Sequence, residues 1–526
     1  MEEENKEEIT AIEKRKNKIN NFLLGWVKDN YDKIFLLILI AAFAIRLWIF
    51  FKTKDQALWY DATSYLSAAK RWGLGLQVND LWYYRRGFFW ALFSAFFFRI
   101  GLGELTIRFT EVLFSTGIVA VSYFLIRDMF NKKAALLTSI GLTLSWVLLF
   151  FTGRPLTSIP ATFFLLTGLF LFWKGYVLKK GNKFLYISGL FFGIAALTRF
   201  QYLLFSAPLL ILIFSKEKFK LFKNKTLWIT LGIFFLMILP HMVLYSLHYG
   251  FFLQDIFTYY LGFGAEAAGI DSAATSNDLL NFGYFLDLPY LLTKPVFVLF
   301  LIGVIYFFAD LVLGFDKIFK NKNVQKRLFI LSWIVIPLFA LGRITDYVEE
   351  RYVIPLLPFL IFISIFTLLK VEDFSKKYLN LKKTLAISLI FLILIAFFIP
   401  NFLWGNQLIE AKKTSYMEVK QAGLWLKENS NTEDIVISSS MPYITYYAER
   451  PSFAIGKNET AFEEMINEVQ PRYLLVSVFE IHETWAYTYP QENQDKLKPV
   501  KSYSQGDQPV LIIYEFNNYS NNIDKV

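Results

Sequence analysis

The chain has 526 residues, of which 55% are hydrophobic and 19% aromatic, and its mean hydropathy is +0.40. That apolar share exceeds what soluble globular domains carry. Cysteine is absent, which excludes disulfides, thiolate metal sites and cysteine nucleophiles. The net charge of +10 does not point to nucleic acid, because the lysines fall in loops between apolar runs.

Residues 1–33 are charged and lack the apolar core of a cleavable signal, so a cytoplasmic N-terminal segment is expected. A transmembrane domain follows over 34–400. Most of its eleven apolar runs approach the ~20 residues needed to cross a bilayer. They lie at 34–51, 108–127, 135–151, 158–176, 184–198, 201–214, 226–248, 295–313, 328–342, 353–369 and 384–400. Lysine-rich clusters occur at Lys14-Arg15-Lys16, Lys132-Lys133, Lys179-Lys180, 216–225, 317–327 and 376–383, whereas 250–293 contains neither Lys nor Arg. The positive-inside rule then sets the N-terminus in the cytoplasm and the C-terminus outside, with outer loops at 52–107 and 249–294. Gly87 to Phe98 is apolar, but as a span it would invert every later cluster; it is expected to be an interfacial helix. The run 184–214 is expected to turn tightly at Arg199-Phe200-Gln201 for the same reason.

From 401 to 526 the composition is mixed, as in a small extracytoplasmic α/β domain. Helices are expected at 414–429 and 461–469, and strands at 434–440, 472–478 and 508–516. The residues from Asn517 onward read as a frayed end.

Polar residues next to hydrocarbon are costly unless paired or used. Asp61, in Trp59-Tyr60-Asp61-Ala62-Thr63-Ser64-Tyr65, follows the first span by about ten residues. On the same expected side lie Arg85, Arg86, Arg154, Arg199 and Arg351, the last beside Glu349 and Glu350. Arginine forks suit phosphate oxygens, although arginines at span ends also simply snorkel to headgroups. A sugar carried on a polyprenyl phosphate leaves an anionic phosphate, which needs cations rather than a protonating acid. One base then suffices to deprotonate the acceptor, contributing roughly 10²–10⁴-fold, whereas glycoside hydrolysis usually requires two carboxylates.

Asp61 is therefore the candidate base; Arg85, Arg86, Arg154, Arg199 and Arg351 are candidate phosphate ligands. Tyr65, Trp59, Glu349 and Glu350 are candidate acceptor or sugar contacts, with Trp72 and Trp82 as further stacking surfaces. Asp255, Glu266, Asp271, Asp278 and Asp287 read as solvated loop carboxylates. His241, His248 and His482 are too dispersed for a metal site, and no cofactor is expected.

At these residues the chain resembles the GT-C integral-membrane glycosyltransferases, in the branch holding protein O-mannosyltransferase-like and lipid A aminoarabinose transferases. The resemblance rests on Trp59-Tyr60-Asp61 with Tyr65, on Tyr83-Tyr84-Arg85-Arg86 and on Gly103-Glu104 with Arg108. It continues in Gly153-Arg154-Pro155 with Pro160 and in Glu350-Arg351-Tyr352 with Pro355. It implies a polytopic α-helical GT-C-like fold and inverting transfer from a polyprenyl-phosphate sugar. The first-loop Asp would sit at the active centre, with Arg86 and Arg351 on the phosphate. Ser158 stands where the family often has a second acid, leaving Glu349 or Glu350 as substitutes. The absence of Trp-Trp-Asp-Tyr-Gly and of an outer Asp-x-Asp argues against a metal-dependent oligosaccharyltransferase. A lipid-linked sugar flippase and a surface-polysaccharide polymerase or ligase share the topology and stay open as alternatives. No repeated halves are visible to favour the flippase.

Overall fold

The computed structural model describes residues 26–79, 82, 86–251, 281–344, 347–379, 382–456, 458–480 and 482–517. Nine helices among them are long and apolar enough to cross a membrane. The first span is helix α1 (Asn30–Thr53), started by Asp29, whose side chain accepts from Asp32 N. Two helices of the first loop follow, α2 (Tyr60–Leu74) and α3 (Phe89–Arg99). At 11 residues α3 is too short to span, in agreement with the interfacial helix expected at Gly87 to Phe98. Next come α4 (Glu104–Met129), α5 (Lys132–Leu144) and α6 (Trp146–Phe151). Then follow α7 (Ser158–Phe172), which runs on as a π-helical turn, and α8 (Asn182–Thr198). A 3₁₀ segment at Phe200–Phe205 leads into α9 (Ser206–Glu217), followed by α10 (Lys225–Tyr249). The remaining spans are α11 (Lys294–Leu313), α12 (Lys322–Ile344), α13 (Leu357–Tyr378) and α14 (Lys383–Lys412).

Two sequence expectations need correction here. The span expected at 135–151 is not one helix: Ser145 takes an extended ψ of 118° between α5 and α6. The amide freed at Trp146 donates to Asn401 Oδ1 at 2.7 Å, so the break is capped from the last span. That last span does not stop at Pro400; α14 continues through it to Lys412. The carboxylates expected at Asp255, Glu266, Asp271 and Asp278, and the end from Asn518, lie outside the described residues.

Helices α1, α11 and α14 bury one face and leave residues such as Leu37, Ile40, Ile305 and Leu392 exposed, as bilayer contact requires, whereas α13 is buried on nearly every side. Close helix approach uses small residues: a Cβ on Gly303 would lie 2.3 Å from the Ile363 carbonyl oxygen. Among the buried charges of the bundle, Arg46 is anchored. Arg46, fully buried in α1, donates to Ser115 Oγ at 2.8 Å and to the carbonyls of Ala42 and Leu142.

The tail begins with α15 (Met417–Asn429) and carries a five-stranded sheet of order β2-β1-β3-β5-β4. Its elements are β1 (Val436–Ser438), α16 (Met441–Ala448), β2 (Ser452–Ala454), α17 (Glu459–Val469) and β3 (Tyr473–Ser477). Helix α18 (Thr484–Glu492) and the hairpin of β4 (Leu497–Gln505) and β5 (Gln508–Phe516) complete it. Strand β1 pairs in parallel with β2 and β3, while β5 is antiparallel to β3 and β4.

Helix α16 docks the tail on α2. Tyr447 Oη accepts from the Leu58 amide at 2.8 Å, Lys70 pairs with Glu449 at 2.9 Å, and Tyr446 Oη donates to Glu104 at 2.9 Å.

Candidate active site

Asp61 enters the first turn of α2 because Trp59, in extended conformation, precedes the helix without a side-chain cap. Its carboxylate is half-buried and bridged by two guanidinium groups. Arg351 Nη2 donates to Oδ2 at 2.8 Å, and Arg86 Nη2 donates to Oδ1 at 3.4 Å. Burial pushes the Asp61 pKa up, but the fields of Arg351, Arg86 and Arg199 together with the Arg351 hydrogen bond win. The group lies below the ordinary 3.8 and is ionised at neutral pH.

A polar cavity of about 170 Å³ opens beside this carboxylate. Asp61, Tyr65, Arg86, Arg199, Arg351 and Tyr352 supply most of its functional groups. The Arg86 guanidinium sits 5.2 Å from the Tyr65 ring centre, and Arg199 sits 4.1 Å above the Tyr352 ring. Arg199 Nη1 donates to Ser158 Oγ at 2.7 Å. Ser158, standing where the family often has an acid, thus orients an arginine without neutralising it. Glu349 braces Arg351 from outside the lining at 2.9 Å. One carboxylate against three guanidiniums leaves the lining with a surplus of two positive charges.

The tight turn at Arg199 is present as expected and delivers Thr198, Arg199, Phe200 and Gln201 to the cavity. The 3₁₀ segment Glu350–Leu356 delivers Arg351 and Tyr352. Arg86 is placed by a backbone contact: a Cβ on Gly87 would meet the Leu197 carbonyl oxygen at 2.1 Å. Only glycine allows the loop to press on the end of α8 at that spot. Sequence reasoning had no role for Gly87, Thr157, Thr198, Gln201 or Tyr352. The glycine at the foot of the apolar run was the available signal for the first of them, since glycine permits close backbone approach.

Other candidates lie elsewhere. Arg154 is 3% exposed and does not line the cavity; it is packed 3.9 Å from the Phe150 ring centre and 4.6 Å from that of Trp59. Its guanidinium nitrogens have no hydrogen-bond acceptor among the described residues. The same stack takes Trp59 away from the cavity, against Phe150 and Phe151. Trp72 and Trp82 pack on each other at 5.1 Å. Glu350 is half-buried outside the lining, and Asp287 joins two short helical turns. Arg85 lies outside the described residues. His241 is packed between the rings of Phe88 and Phe200.

Residues 85–244 match the family model described as dolichyl-phosphate-mannose-protein mannosyltransferase. A search of curated proteins finds no match. Among solved structures, ArnT from Cupriavidus metallidurans bound to undecaprenyl phosphate is similar at TM-score 0.61 and 14% identity, over 93% of this chain and 98% of that one. The Archaeoglobus fulgidus oligosaccharyltransferase AglB in complex with an inhibitory peptide and a dolichol-phosphate gives 0.59 and 13%, over 94% and 75%. The same archaeon's oligosaccharyltransferase tethered to an acceptor peptide gives 0.60 and 13%, over 84% and 69%. The chain is a multi-pass membrane protein with the GT-C fold of membrane glycosyltransferases.

Proposed function

We propose that the protein moves a sugar from a polyprenyl-phosphate donor to an acceptor at the outer face of the membrane, with inversion and with Asp61 as base. The observation that carries this reading is the cavity's charge. Three arginines face one carboxylate, so the resting site is complementary to one further anion of phosphate size. An apolar cavity of about 380 Å³ supports it, lined by Leu165, Phe192, Tyr202, Leu209 and Phe234 among others. Residues 195, 196, 202 and 203 line the apolar cavity and residues 198–201 the polar one, so one stretch of chain adjoins the two, which suits a ligand with a phosphate head and a hydrocarbon tail. The similar ArnT and AglB structures hold undecaprenyl phosphate and a dolichol-phosphate.

In this mechanism the donor phosphate draws Arg86 and Arg351 toward its own oxygens. Asp61, relieved of part of its clamp, gains basicity as the acceptor hydroxyl approaches. It takes the hydroxyl proton while the oxygen attacks the anomeric carbon from the side opposite the phosphate. The bond from that carbon to the phosphate oxygen breaks, and the arginines hold the departing polyprenyl phosphate. No general acid or metal is needed.

The test uses full-length protein in liposomes, radiolabelled polyprenyl-phosphate sugars and membrane extract as acceptor source. Asp61→Asn should abolish label transfer; full transfer by that variant from every donor that the wild type uses would sink the proposal.

A further inference from the structure

Gln201 lines the polar cavity but has no part in the proton and phosphate steps at Asp61. It follows Arg199 in the tight turn after α8, within the 3₁₀ segment Phe200–Phe205. Among the described residues its amide makes no hydrogen bond. The hydroxyls of Tyr65 and Tyr352, in the same lining, make none either. The faces of those two rings are taken by guanidinium groups, Arg86 at 5.2 Å and Arg199 at 4.1 Å. Three neutral polar groups thus stand unbonded around the cavity.

The charged groups of the lining are, by contrast, already committed. Asp61, its only carboxylate, accepts from Arg351 through Oδ2 and from Arg86 through Oδ1. Glu349 pairs with Arg351 from outside the lining. Arg199 donates to Ser158 Oγ at 2.7 Å and to Thr157 Oγ1 at 3.4 Å. Once a donor phosphate engages Arg86 and Arg351, the amide and the two hydroxyls remain for the rest of the donor. At about 170 Å³ the cavity has room for on the order of a dozen water-sized groups, more than a phosphate alone fills.

Charge then decides what the sugar can carry. An ammonium substituent would meet a surplus of two positive charges, and the one carboxylate it could pair with is the base that transfer needs. A carboxylate substituent would compete with the phosphate for Arg86 and Arg351, or pull Arg199 off Ser158. A hydroxyl both donates and accepts, which matches a side-chain amide that does the same without charge. We infer that the sugar on the donor is uncharged and that Gln201 reads its hydroxyls, which makes Gln201 a specificity-determining residue. The inference rests on the donor site proposed at Asp61 and names the class of sugar that donor carries.

The experiment is competition against a fluorescent short-chain polyprenyl phosphate bound to full-length protein in nanodiscs. The competitors are short-chain polyprenyl phosphates carrying glucose, galactose or mannose as neutral sugars, aminoarabinose as a cation and glucuronic acid as an anion. At least one neutral donor should bind ~10-fold or more tighter than both charged ones. Gln201→Ala should weaken that donor about 5-fold while changing the affinity for sugar-free polyprenyl phosphate by less than about 2-fold. Gln201→Glu should shift the order toward aminoarabinose, because it supplies the missing carboxylate. Thermal midpoints establish that both variants fold; the order of the sugars on the wild-type protein decides the matter without them. A charged sugar bound as tightly as every neutral one, or a Gln201→Ala loss as large without the sugar as with it, would overturn this inference alone. Failure of polyprenyl phosphate itself to bind would remove the donor reading and this inference with it.

Discussion

Replacing Asp61 by Asn should make the protein bind polyprenyl phosphate more tightly while removing its power to transfer. In the resting site the carboxylate holds Arg351 at 2.8 Å and Arg86 at 3.4 Å, the same two cations that an incoming phosphate would use. A phosphate on the far side of those guanidiniums would sit about 7 Å from the carboxylate. Two unit charges at that range repel by ~0.6 kcal/mol at the dielectric of water and ~2.4 kcal/mol at an effective value near 20. Asp61 is half-buried, which puts the site between these limits. Removing the charge should therefore lower the dissociation constant of polyprenyl phosphate by about 3- to 50-fold. Loss of the base should lower transfer by roughly 10²–10⁴-fold. Titration of nanodisc-embedded protein with a fluorescent short-chain polyprenyl phosphate reads the first quantity, and single-turnover transfer reads the second. Weaker lipid binding by Asp61→Asn would refute the competition argued for the arginines, because the carboxylate would then be supporting the phosphate site.

The depressed pKa of Asp61 sets a pH window. Its folded value lies below 3.8, so between the two values the unfolded chain binds more protons. The stabilising contribution is full above about pH 5 and is lost as pH falls through the folded value. The acid limb of kcat/KM should accordingly fall below pH 3.8, and a limb at pH 6–7 would show another group to be the base. Gly87→Ala should lower the thermal midpoint by an amount equivalent to ~1–3 kcal/mol, because the added methyl meets the Leu197 carbonyl; an unchanged midpoint would refute the close approach. Tyr447→Phe strands the buried Leu58 amide, costing ~1–3 kcal/mol. Hydrogen exchange at residues 57–60 should speed up, with transfer falling several-fold; unchanged exchange would show that α16 does not hold the start of α2.

Hydropathy and lysine placement made the membrane domain legible because both are local signals. They separated 11-residue α3 from true spans and located the turn at Arg199. The break at Ser145 was invisible because its cap, Asn401, comes from 255 residues away. Pro400 suggested an end that packing overrode, since Asn401 also donates to the Leu292 carbonyl at 2.7 Å and holds α14 in place. In the tail, α16 escaped notice because Pro442 to Ala448 are all buried, which erases the helical period. Strand β4 escaped it because LKPVKSYSQ is lysine-rich and holds a proline, the dress of an exposed edge strand.

Within the site, Asp61, Arg86, Arg199, Arg351 and Tyr65 were legible from their position next to spans, and all line the cavity. Arg154 shares that position but is turned the other way by the Trp59 and Phe150 rings. Chain order does not encode which way an arginine points.

The docking of α16 also dictates an order of assembly. Glu104 waits for Tyr446 across 342 residues, Lys70 for Glu449 across 379, and the Leu58 amide for Tyr447 across 389. A ribosome delivers the N-terminal partners first, so α2 emerges with a buried-to-be lysine and amide unsatisfied until the last quarter of the chain is made. The helix bearing Asp61 is therefore the first loop element synthesised and among the last to settle. A chain interrupted before residue 441 would insert its spans yet leave that helix undocked.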